Sequence, residues 1–140
     1  MLTKHPERCR FPHGHTRTIE VVVRGEDLDD RGMLADFTAL KLAVGEFVER
    51  FDHAMVVSSE EPLLPALRGL YPEGVIVFEG SEPTTEAIAK SIFDHVKELL
   101  AVGTEKLSSS GVVYRIPADW VELERVRVWE TPSTWAEYGE

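Results

Sequence analysis

Along the 140 residues the spacing of apolar positions changes several times, and each change marks an element. Thr16 to Val23 is β-branched and mostly alternating, the period of a half-buried strand, and the acidic Gly25–Gly32 stretch reads as the turn that follows. From Asp36, the positions Phe37, Leu40, Val44, Phe47, Val48 and Phe51 recur at helical spacing, with Asp36 placed to cap the first turn. A second helix is announced by Pro83-Thr84-Thr85-Glu86, where a Thr at the cap and an early Glu suit the N-terminal dipole. Ile88, Ile92, Val96, Leu99 and Leu100 supply its apolar stripe, and Gly103 ends it. Between the helices, Leu63 to Leu70 predicts a short helical turn and Val75 to Phe78 a short strand. Gly111–Ile116 and Val121–Trp129 are strand-like runs separated by Pro117-Ala118-Asp119, which predicts a hairpin. The order of elements predicts an antiparallel α+β domain with two helices packed on one sheet face.

Composition narrows the function classes. Hydrophobic residues make up 43% and charged residues 29%, enough to bury a core, and with no repeat or long linker one domain over 1–140 is the economical reading. The formal charge of -10 argues against a nucleic-acid or anionic-membrane partner. No apolar run approaches the roughly eighteen residues that span a bilayer. Met1-Leu2-Thr3-Lys4-His5-Pro6 has no apolar h-region, so the expectation is a cytoplasmic protein. The single cysteine, Cys9, precludes an internal disulfide. The average conceals one unevenness: residues 1–18 carry Lys4, Arg8, Arg10 and Arg17 against Glu7 alone, and also hold Cys9 and three of the five histidines.

Within that basic segment, Cys9-Arg10-Phe11-Pro12-His13-Gly14-His15 leads directly into a strand. In an extended chain, side chains two apart share a face, so His13 and His15 can offer two imidazole nitrogens to one metal ion; the plainer alternative is a pair of surface histidines at a strand entry. Cys9 is either an inert small hydrophobe or, between Arg8 and Arg10, a thiol activated as base or nucleophile. Asp52-His53 can relay a proton or simply end a helix in solvent. Glu86 and Glu130 are the remaining candidates, because a carboxylate at a strand end can accept two parallel hydrogen bonds from a heterocycle's edge.

Taken in order, Cys-x-x-x-His-Gly-His at 9–15, Gly32-Met33-Leu34-Ala35-Asp36-Phe37, Asp52-His53, Pro83-Thr84-Thr85-Glu86 and Val128-Trp129-Glu130-Thr131 resemble the 6-pyruvoyl-tetrahydropterin synthase and 6-carboxy-tetrahydropterin synthase (QueD) family, over nearly the whole chain. The resemblance implies the tunnelling (T) fold, an antiparallel sheet backed by two helices that assembles with other subunits into an oligomeric barrel, commonly a hexamer. It implies Zn2+ held by histidines, with His13 and His15 as two ligands, Cys9 as general base, and Asp52 and His53 as the rest of a proton relay. It further implies that Glu130 anchors the pterin ring while Thr84, Thr85 and Glu86 wall its pocket.

The three-residue gap between Cys9 and His13 resembles the 6-carboxy-tetrahydropterin synthases of the queuosine pathway. The implied reaction converts 7,8-dihydroneopterin triphosphate to 6-carboxy-5,6,7,8-tetrahydropterin, acetaldehyde and triphosphate. The alternatives are a 6-pyruvoyl-tetrahydropterin synthase and a non-catalytic pterin-binding paralogue. Arg8, Arg10, Arg17 and Lys4 are the cations available to a triphosphate tail. Three departures stand out. The family's first zinc histidine would fall just before Met1, so part of the first strand is expected to be missing, with His5 the only replacement in reach. Ala54-Met55-Val56-Val57 stands where the family often has Leu-Asn, and Ala87 replaces an Asn.

Overall fold

A computed structural model describes all residues 1–140. The strands are β1 (Thr18–Arg24), β2 (Met55–Ser58), β3 (Val75–Phe78), β4 (Thr104–Leu107), β5 (Val113–Ile116), β6 (Glu122–Thr131) and β7 (Thr134–Gly139). The helices are α1 (Phe37–Glu49), α2 (Leu64–Leu70) and α3 (Thr85–Val102), with one 3-10 turn at Arg8–Arg10. No helix is long and apolar enough to cross a membrane. The α+β class predicted from the sequence is borne out, and the strand pairing differs from the prediction in two respects.

First, the run up to Ile116 and the run from Val121 do not form a hairpin with each other. β5 pairs with β4, whereas β6 pairs with β1 on one side and β7 on the other, giving an antiparallel sheet ordered β1-β6-β7. Pro117 to Trp120 is therefore a crossing between sheets, anchored where the Asp119 N–H donates to the Leu100 carbonyl at 3.0 Å. Second, not every ladder is antiparallel: β2 and β3 pair in parallel, Met55 opposite Val75 through Ser58 opposite Phe78, with α2 as their crossover.

Three helices form; α3 approaches the main sheet most closely, against β6 and β7, while α1 packs on α3 and on the β4–β5 hairpin and adds Ala39 and Val44 to the same core. Asp36 caps α1 as expected, its carboxylate accepting the Thr38 N–H at 2.7 Å, and the Thr84 hydroxyl caps α3 by accepting from Ala87 at 3.2 Å. Gly103 ends α3 with φ 75, a left-handed conformation that favours glycine, and a Cβ there would stand 2.7 Å from the Ala118 nitrogen. The apolar stripe of α3 is the core: Ile88, Ile92, Phe93, Val96 and Leu100 are buried against Val126 and Val128 of β6.

Candidate active site

The face of β6 that carries Val126 and Val128 into the core continues, two residues on, to Glu130. The β6–β7 register shifts between Trp129 and Thr131, so Glu130 is the bulged residue, the position at which a strand re-aims a side chain. Its carboxylate reaches the first turn of α3, where Thr85 Oγ1 donates to Oε1 at 3.1 Å and the helix N-terminus favours negative charge. Thr18 pairs with Trp129, so the same register extended by one residue sets Arg17 opposite Glu130; the Arg17 guanidinium donates to Oε1 at 3.0 Å. His15 Nε2 stands 3.3 Å from the same oxygen. Two donors thus converge on Oε1 with the His15 imidazole alongside, and Oε2 has no protein partner.

This network forms one wall of an open cleft of about 1000 Å³. All nine candidates from the sequence line it: Cys9, His13, His15, Asp52, His53, Thr84, Thr85, Glu86 and Glu130. They arrive from the segment before β1, the end of α1, the start of α3 and the end of β6. Arg17, one of the cations available to a triphosphate tail, lines it too. The signal was present, since positions 13, 15 and 17 continue the alternation that paired the two histidines.

Cys9, half-buried and free, is the middle residue of the 3-10 turn, and its carbonyl accepts the Leu2 N–H at 2.8 Å. Glu82, in the loop before α3, accepts the backbone N–H groups of Thr3 and Lys4 at 2.7 and 3.2 Å, while Thr3 Oγ1 donates to the buried Glu61 at 2.7 Å. These contacts fasten the Cys9 segment to the loop that also presents Thr84 and Thr85. At the end of α1, Asp52 Oδ1 lies 3.0 Å from His53 Nδ1, so the two adjacent side chains form an ion pair at the cleft. His53 has φ 54, which turns the chain sharply beyond α1 and holds the imidazole out in the cleft, 93% exposed.

The two histidines of His-Gly-His meet edge to face with ring centroids 5.0 Å apart. His13 Nδ1 lies 2.6 Å from the Phe11 carbonyl and so donates to it, leaving Nε2 free. Burial pulls the His15 imidazole below its ordinary pKa against the raising effect of Glu130, and Arg17 and His13 lower it further; the neutral form it favours is the one that binds metal. Catalytic zinc takes three protein ligands, and no group of three His, Cys, Asp or Glu side chains here stands close enough to hold a metal ion.

The sequence model of the family described as 6-pyruvoyl tetrahydropterin synthase matches residues 1–140. The chain belongs to that family. Among curated relatives, 6-carboxy-5,6,7,8-tetrahydropterin synthase of Aquifex aeolicus is 29% identical over 140 residues, covering 98% of this chain and 79% of its own. The Bacillus subtilis protein of the same name is 34% identical over 92 residues, 66% of this chain and 53% of the relative. An uncharacterized protein of Wolinella succinogenes, whose crystal structure is solved, shares the fold with a TM-score of 0.60 at 23% identity, covering 94% of this chain and 80% of that one.

Proposed function

We propose that this member of the family is a 6-carboxy-tetrahydropterin synthase, converting 7,8-dihydroneopterin triphosphate and water to 6-carboxy-5,6,7,8-tetrahydropterin, acetaldehyde and triphosphate. The observation that carries this reading is the convergence, in one cleft, of a carboxylate fixed by Arg17 and Thr85 with a thiol and an Asp–His pair. The names of the Aquifex and Bacillus relatives support it. Glu130 accepts hydrogen bonds from the N–H and amino edge of the pterin, with Thr84, Thr85 and Glu86 walling the ring. Cys9 removes a proton from the side chain next to the ring, and the His53 imidazole, paired with Asp52, returns a proton to the departing fragment. The ring gains the electrons that the side chain loses, so reducing power is carried within the substrate.

His13 and His15 are proposed as two ligands of zinc, which when bound would polarise the side-chain oxygens. Zinc content of the purified full chain should fall in His13→Ala and His15→Ala; equal zinc in wild type and both variants contradicts that assignment. Assembly through the outer strands β1 and β7, each with one open edge, is the proposed route to an oligomer. Mass spectrometry of the product formed from 7,8-dihydroneopterin triphosphate tests the reaction. A 6-carboxy-tetrahydropterin supports it, a pyruvoyl product assigns the other branch of the family, and bound but unconverted pterin assigns a binding role.

A further inference from the structure

Ten of the fifteen Lys and Arg side chains stand within 4.0 Å of a carboxylate, and the five that do not are Arg8, Arg10, Lys41, Arg50 and Arg68. In a chain with 25 acidic residues, partners are not scarce. Arg8 and Arg10 are the two of the five that lie together. They flank Cys9 on the 3-10 turn and both line a shallow concavity, with Pro6, Glu7 and Phe11, next to the main cleft that Cys9 lines.

The turn holds these two arginines in place. Arg10 N–H donates to the Glu7 carbonyl at 3.2 Å and Phe11 N–H to the Arg8 carbonyl at 3.0 Å, while the Arg10 guanidinium lies 5.0 Å from the centre of the Phe11 ring. That cation–π contact orients the group without neutralising it. The other two cations of the basic segment are committed elsewhere, Lys4 to Glu60 at 2.8 Å and Arg17 to Glu130 at 3.0 Å. Glu7 is the one opposing carboxylate on the concavity.

We propose that Arg8 and Arg10 form a polyphosphate subsite at the mouth of the cleft, taking a triphosphate chain by charge-assisted hydrogen bonds while the ring it is attached to lies at Glu130. The attached ring rests on the reading under Proposed function; the affinity for triphosphate does not. Titration calorimetry of the full chain with inorganic triphosphate is the test. The wild type should bind, more weakly as salt rises, and the exposed-surface double variant Arg8→Gln/Arg10→Gln should bind at least about tenfold more weakly. Arg68→Gln, on α2 and equally unpaired, should match the wild type. Absence of binding, retention of affinity in the double variant, or an equal loss in Arg68→Gln overturns the subsite. Arg8- and Arg10-dependent triphosphate binding without pterin turnover upholds the subsite and defeats the pterin reading. Pterin turnover with a KM unaffected by the double substitution does the reverse.

Discussion

Glu130→Gln keeps the side chain's length, removes its charge, and lets the structure decide which way the amide points. Arg17 and Thr85 both donate to Oε1, so the amide oxygen takes that position and its NH2 group takes the place of Oε2. A donor then faces the ligand's own N–H donors. One charge-assisted bond is lost, at about 1.5–2 kcal/mol, and an unsatisfied pair of donors adds a similar cost, about 3–4 kcal/mol in total. The Kd for a pterin should rise by roughly two to three orders of magnitude. Stability should change little, by under about 1 kcal/mol, because the Glu130 side chain is 32% exposed and its ion pairs are screened. Quenching of pterin fluorescence gives the first quantity and urea denaturation the second. A Kd within about threefold of wild type in a folded Glu130→Gln protein refutes the anchoring role and the geometry built on it.

Two further outcomes follow from the same structure. Gly103→Ala should destabilise by about 2 kcal/mol or more, since the residue is left-handed and its Cβ would meet the backbone of Ala118 and Ile116; an unchanged denaturation midpoint contradicts the close approach. His15 binds its proton less readily folded than unfolded, because burial outweighs Glu130. As pH falls through about 6.5 the unfolded chain takes up a proton that the folded chain resists, so stability declines on acidification. Between pH 7.5 and 5.5, His15→Gln should lose less stability than wild type, and parallel curves for the two proteins would exclude His15 as a source of the decline.

The helices were legible because α1 and α3 carry long stripes of 3.6-residue period behind Asp36 and Thr84, each a capping residue with its bond in place. Three strands escaped, for different reasons. β4 is Thr-Glu-Lys-Leu, β7 is mostly exposed, and β2, Met55–Ser58, has no alternation because it lies on its parallel neighbour β3. A hairpin was predicted across Pro117-Ala118-Asp119 because local turn chemistry cannot say which of several strands lies alongside; β6 finds more apolar partners in β1 and β7 than β5 offers. For the cleft, each local motif was weak, and only their order pointed to one site. The Arg17–Glu130 pair was invisible beforehand, since it depends on the β1–β6 register and on the bulge that turns Glu130 toward α3.

The most direct test of the proposed chemistry is the stoichiometry of products from 7,8-dihydroneopterin triphosphate, compared between wild type and Cys9→Ala. One acetaldehyde and one triphosphate should appear for each pterin consumed by the wild type. Cys9→Ala should bind pterin with unchanged affinity while releasing acetaldehyde about 10²–10⁴ times more slowly, the range expected for loss of a positioned general base. Undiminished acetaldehyde release from Cys9→Ala, or a wild type that binds pterin and yields none, would contradict the account.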